Sequence, residues 1–133
     1  MQCPVCKEPM VTMELNNVEI DYCFDCGGIW LDQGELEQLV SDTDYLKKLL
    51  KTFKVKHFIK EKKRRCPKCN RKMKKVSVGL ERKTLLDVCP KQHGIWFDSG
   101  ELYGIISLGK IDPDDKILSL LKKMFKHKME EAK

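Results

Sequence analysis

The sequence has no apolar run approaching the ~18 residues of a membrane span, so no spanning helix is expected. It also has no glycine-rich phosphate loop, no nucleophile elbow and no Ser-His-Asp set, and we expect no catalytic activity. Aromatic residues make up only 8% of the chain and histidines number three, which leaves few groups for base stacking or proton transfer. The first cysteine stands at position 3, so no targeting segment fits ahead of it and a cytosolic location is expected. Basic charge is scarce in the first third of the chain, and acidic charge in the stretch that follows it. Residues 1–46 hold ten acidic residues and one base (Lys7), whereas residues 47–75 hold fifteen Lys or Arg and one acid (Glu61).

Against these absences stands a duplicated stretch. Cys23-Phe24-Asp25-Cys26-Gly27-Gly28-Ile29-Trp30-Leu31-Asp32-Gln33-Gly34-Glu35-Leu36 returns as Cys89-Pro90-Lys91-Gln92-His93-Gly94-Ile95-Trp96-Phe97-Asp98-Ser99-Gly100-Glu101-Leu102. Trp30 and Trp96 lie 66 positions apart, as do Cys23 and Cys89 and also Glu35 and Glu101. A Cys-Pro-x-Cys pair precedes each copy, Cys3/Cys6 and Cys66/Cys69.

The first unit therefore reads C-x2-C, sixteen residues, C-x2-C, which is a zinc-site spacing. Cys3, Cys6, Cys23 and Cys26 would form a closed four-thiolate shell, the pattern of a structural site. In the second unit His93 falls opposite Gly27 and Gln92 opposite Cys26, giving C-x2-C, nineteen residues, C-x3-H. Cys66, Cys69, Cys89 and His93 make a three-thiolate, one-imidazole shell, also an accepted structural zinc set. Seven cysteines and one histidine leave no odd thiol, which favours metal over disulfides in a cytosolic chain. Paired cysteine knuckles also suit iron, but the imidazole makes zinc the better reading, with two Zn2+ per chain. Both sets supply four protein ligands, leaving no open position for a catalytic water.

The rest of each unit follows from periodicity. Val11, Met13 and Leu15, then Val18, Ile20 and Tyr22, alternate with polar residues around Asn16-Asn17, predicting a β-hairpin. Lys74 to Cys89 predicts a second, with Val76, Val78, Leu85 and Val88 in strands and a turn near Glu81-Arg82. Ile29-Trp30-Leu31 predicts a short third strand. Asp32 with Glu35, and Asp98 with Glu101, have capping-box spacing before a short helix, which gives both glutamates a structural role. A longer amphipathic helix is predicted from Asp42 or Thr43 through Leu46, Leu49, Leu50 and Phe53, running on through Phe58 to about Lys60. Asp112-Pro113 starts another, with Ile117, Leu118, Leu121, Met124 and Phe125 on one face. Trp30 and Trp96 are expected to pack over their own zinc knuckles, with base stacking as the alternative.

The fold class expected is small, metal-bound α+β: two tandem zinc ribbons, each followed by a short helix and a longer amphipathic helix. The units are expected at 1–41 (ribbon), 42–63 (basic helix and linker), 64–110 (ribbon) and 111–133 (C-terminal helix). The basic run at 47–75 attracts polyanions by counterion release. Its lysine bias and lack of free aromatics point to phosphate contact. The candidates are Lys54, Lys56, Lys60, Lys62, Lys63, Arg64, Arg65, Lys68, Arg71 and Lys72, with DNA or RNA as partner. His57 and His127 are expected to be solvated. The alternative is a protein-interaction adaptor, in which the acidic first ribbon docks a partner or the helix stripes pair, either with one another or in a homodimer.

The string Cys-Pro-x-Cys followed by Cys-x-x-Cys-Gly-Gly-Ile-Trp-Leu-Asp-x-Gly-Glu-Leu resembles the transcription-factor-IIB-type zinc-finger family of zinc-ribbon proteins. The resemblance covers about 1–41 closely and 64–104 less closely. It implies a zinc ribbon on the eight ligands named above, with His93 displaced from the expected cysteine, and it suggests a role near transcription. A ribbon fold does not by itself fix a function.

Overall fold

The computed structural model describes residues 1–15, 17–40, 43–57, 59–60, 62–79 and 83–108. The turn expected at Glu81-Arg82, the caps at Asp42 and Asp112, Phe58, the C-terminal helix and His127 lie outside the described residues.

The alternating stretches form the expected hairpins. Strand β1 (Val11–Leu15) pairs with β2 (Val18–Tyr22), and Leu15 faces Val18 across a tight connection in which Asn17 adopts φ 67. Asparagine tolerates that left-handed backbone better than most residues. β3 (Ile29–Asp32) pairs with β2. In the second unit β5 (Lys74–Val78) pairs with β6 (Thr84–Val88), which pairs with β7 (Gly94–Phe97).

The two units are not separate beads. β3 and β7 pair antiparallel, with Trp30 directly opposite Trp96, and with a short strand β4 (Lys54–Lys56) the described residues form one seven-stranded antiparallel sheet in the order β1-β2-β3-β7-β6-β5-β4. This pairing, together with the tryptophans, joins the halves. The predicted apolar stripe of residues 46–53 packs on the core. In α2 (Thr43–Lys51) Leu49 is buried and Tyr45 and Leu46 are half-buried against the core on one face of the sheet. The Tyr45 hydroxyl donates to the Ile105 carbonyl at 2.6 Å, tying α2 to α3 (Glu101–Leu108). α1 (Glu35–Leu39) adds Leu36 and Leu39 to the same core, among Ile20, Leu31, Leu86, Phe97 and Leu102. No helix among the described residues is long and apolar enough to cross a membrane.

Two expectations need correction. The helix predicted to reach Lys60 stops at Lys51, and Lys54–Lys56 is instead a strand, β4, paired antiparallel with β5 at the sheet edge. Thr52 makes the break: its hydroxyl donates to the Leu49 carbonyl at 2.6 Å and accepts the Gly79 N–H at 2.9 Å. Those bonds pin the chain to the second hairpin, where an alternating Lys-Val-Lys fits an edge and lysine guards it. Asp32 is also not the helix cap, since Gly34 at φ 89 holds that position with no side-chain bond. The reciprocal half of the capping box is present, because Glu35 accepts the Asp32 N–H at 2.6 Å and Glu101 accepts the Asp98 N–H at 2.7 Å. The two aspartates use their carboxylates to accept the Trp30 and Trp96 indole N–H groups, both at 3.0 Å.

Among the described residues, one ion pair is buried. Lys75 and Asp87 face each other across β5 and β6, 2.8 Å apart, with side chains 6% and 3% exposed. Burial pushes the Asp87 pKa up, opposed by the ammonium of Lys75. Removing one partner strands a charge. Lys75→Met is expected to cost about 3–5 kcal/mol, whereas Lys75→Met with Asp87→Leu recovers most of the loss, as read from denaturant midpoints of zinc-loaded protein.

Candidate metal centres

Each ligand set is built by two knuckles. In three of them the Cys-x-x-Cys turn closes on a residue in the left-handed region: Lys7 (φ 66), Gly27 (φ 78) and Asn70 (φ 63). Their N–H groups donate to the carbonyls of Cys3, Cys23 and Cys66 at 2.9, 2.8 and 2.8 Å. In the fourth, the left-handed residue comes one step early, at Gln92 (φ 63), whose N–H donates to the Cys89 carbonyl at 3.0 Å. The ligand therefore follows the turn rather than preceding it. From there the longer imidazole of His93 reaches back with Nδ1, 3.5 Å from the Cys89 sulfur and 3.9 Å from that of Cys66. This local change explains the one-residue displacement seen in the sequence.

The four donor atoms of Cys3, Cys6, Cys23 and Cys26 lie within 4.8 Å of one another, and so do those of Cys66, Cys69, Cys89 and His93. Cys3 and Cys26 are 3.6 Å apart at sulfur, as are Cys69 and Cys89. A disulfide needs about 2.05 Å, whereas sulfurs bound to one tetrahedral zinc at ~2.3 Å stand roughly 3.8 Å apart. Backbone N–H groups aim at the sulfurs. Val5 and Cys6 donate to Cys3, both at 3.3 Å, and Lys68 and Lys91 donate to Cys66 and Cys89 at 3.4 and 3.3 Å. Donation from the Cys26 thiol, aided by these amides, draws Cys3 down to about 5. Burial raises Cys89, but the amides of His93 and Lys91 prevail and hold it at about 7. Burial pushes Cys6 and Cys66 up to about 11. Each cluster thus favours a thiolate among crowded thiols, and a divalent cation suits that arrangement better than a shared proton. The two sets fit two zinc ions, as four-thiolate and three-thiolate, one-imidazole sites.

Both tryptophans are fully buried and excluded as base-stacking platforms. They pack with Cys3, Cys23, Cys66, Cys89 and Met73 in one cluster, so both metal centres share a single aromatic core. The packing is reciprocal. A Cβ at Gly94 would stand 2.7 Å from Cζ2 of Trp30 and overlap the Leu31 carbonyl oxygen, while a Cβ at Gly28 would overlap the Trp96 ring. Each tryptophan therefore lies over the other ribbon's glycine, in addition to its contacts with the knuckles. The Gly-Ile-Trp spacing in both copies was the available signal.

The basic candidates do not form one helical face. Lys54 and Lys56 stand exposed on β4, and Lys60, Lys62 and Lys63 are exposed in the segment leading to the second knuckle. Arg65, Arg71 and Lys72 are exposed on the knuckle itself, where Arg65 bridges to Lys72 and donates to the Asn70 carbonyl at 2.9 Å. His57 is exposed. One candidate bridges the ribbons: Lys68 pairs with Asp32 of the first ribbon at 2.6 Å, a contact invisible in the sequence. Arg64 is half-buried.

A family model described as "Transcription factor zinc-finger" matches residues 2–42 and again 65–107, more than half of the chain in two tandem copies. No curated protein and no solved structure matches the chain.

Proposed function

The chain belongs to the transcription factor zinc-finger family, and on that premise we propose that it is a non-catalytic zinc-binding module that contacts nucleic acid through its basic segment 47–75. The observation that carries the reading is the row of exposed cations, Lys54, Lys56, Lys60, Lys62, Lys63, Arg65, Arg71 and Lys72, on an edge strand, the second knuckle and the segment between them. Such a surface gains affinity by releasing counterions from phosphates. With Trp30 and Trp96 buried, contact runs to the backbone of the nucleic acid, and sequence preference is weak.

The test is a titration of labelled duplex DNA and single-stranded RNA against zinc-loaded protein at several salt concentrations. The comparison variant carries Lys60, Lys62, Lys63, Arg65 and Lys72 all changed to Gln, sparing half-buried Arg64 and Lys68, which pairs with Asp32. Binding at ~150 mM salt with a steep salt slope, and a slope reduced by up to ~4 in the variant, is the expected result. Equal binding by the variant, or none above low salt, would remove this segment's role.

A further inference from the structure

Strands β1, β2 and β3 have counterparts in β5, β6 and β7, but among the described residues β4 has none. Adding 63 to the bounds of β1 gives the bounds of β5, and adding 66 to those of β2 gives those of β6. The outer edge of β5 carries an additional antiparallel strand, β4, in the register Lys54↔Ser77, Val55↔Val76, Lys56↔Lys75. The outer edge of β1 ends the sheet, and among the described residues no strand pairs with it. An open edge offers a row of backbone donors and acceptors to an extended chain.

We propose that the outer edge of β1 is a docking site for an extended basic segment of a partner protein, with alternating lysine and apolar residues, added as an eighth strand. The charge of the site selects the occupant. Transposed by 63 positions, the β4 register sets a lysine opposite Glu14, an apolar residue opposite Met13 and a second lysine opposite Thr12. Glu14 lies directly across from Glu19, a like-charged pair that disfavours the bare hairpin and that an incoming lysine relieves. Thr12 donates to Asp21 at 3.0 Å, which puts another carboxylate beside the second lysine. In the second unit the equivalent cross-strand pairs are Ser77 with Leu85 and Lys75 with Asp87, so β4 binds there without that attraction.

The end of the edge supplies an apolar anchor. Val11 is 45% exposed and faces Tyr22, whose ring meets that of Phe24 edge-on at 4.9 Å, and Phe24 is itself 52% exposed in the Cys23–Cys26 knuckle. The equivalent of Phe24 in the second copy is Pro90. An aromatic exposed at the end of an open strand suits the alternate side-chain pockets of strand addition. The site is independent of the basic segment, which lies in the other half of the chain.

The experiment uses the zinc-loaded full chain, a capped Lys-Val-Lys-Val-Lys peptide and a Glu-Val-Glu-Val-Glu control, with amide exchange read residue by residue. The lysine peptide is expected to slow exchange in β1 and to shift signals of Glu14, Glu19 and Phe24, while the glutamate peptide does neither. The double variant Glu14→Lys, Glu19→Lys, checked for two bound zincs, is expected to weaken the lysine peptide about tenfold or more and to accept the glutamate peptide instead. Three results would overturn the proposal: lysine-peptide protection confined to β4 or the second knuckle, binding indifferent to the charge reversal, or self-association of the free chain through β1 in sedimentation.

Discussion

Replacing Cys66 by serine is expected to cost the protein both ribbons, although the residue belongs to one. A hydroxyl is a poor substitute for a thiolate on zinc, and structural zinc supplies on the order of 10 kcal/mol or more of folding free energy at neutral pH. A ribbon of about forty residues has little core with which to replace that contribution. Once the second ribbon opens, β3 loses its four paired positions on β7, and Trp30, fully buried in the native chain, loses Trp96 and the backbone of Gly94. The Lys68–Asp32 bridge and the bond from Gln33 N–H to the His93 carbonyl, at 3.0 Å, go with it. We therefore expect amide protection at Ile20, Tyr22 and Trp30 to fall by orders of magnitude in the variant, together with loss of metal from the second site. Metal analysis and hydrogen exchange on the same sample check this.

Gly94→Ala is expected to be the most damaging single methyl in the sheet. The added Cβ overlaps a backbone oxygen, that of Leu31, and it also meets the face of Trp30. Neither can move freely, because the carbonyl belongs to the β3–β7 ladder and the indole is held by Asp32. Overpacking a well-filled core costs typically ~1–3 kcal/mol, and a fixed backbone atom puts this site at or above the upper end. Gly28→Ala meets chiefly the Trp96 ring and is expected to cost less. Gly104→Ala is the internal control. It lies within α3 with nothing beyond the helix's own backbone within 4 Å of the added carbon among the described residues, and it is expected to stabilise by about 0.4–1 kcal/mol. Denaturant midpoints of the three zinc-loaded variants give the order directly.

The eight ligands were legible because their chemistry is local: knuckle spacing and the 66-residue repeat need no knowledge of how strands meet. The hairpins at 11–22 and 74–88 were legible for the same reason, as alternation is visible within ten residues. The strand at Lys54–Lys56 was not, since one valine between lysines inside a basic run reads equally as a solvated helix face. Only the edge of β5 and the Thr52 hydroxyl decide between them. The union of the ribbons through β3 and β7 was hidden because a pairing between residues 66 apart leaves no mark in either local pattern. Lys75 and Asp87 each sit in stretches rich in charge, and nothing in the sequence distinguishes the buried pair from its solvated neighbours.

Whether the two metal centres fold as one unit is read from a zinc titration of the metal-free chain, followed residue by residue. Native signals of Tyr22 and Trp30 are expected to grow in step with those of Val88 and Trp96, reaching completion at two equivalents. A first ribbon that reaches full native protection at one equivalent, while the second remains unfolded, would contradict folding as one unit.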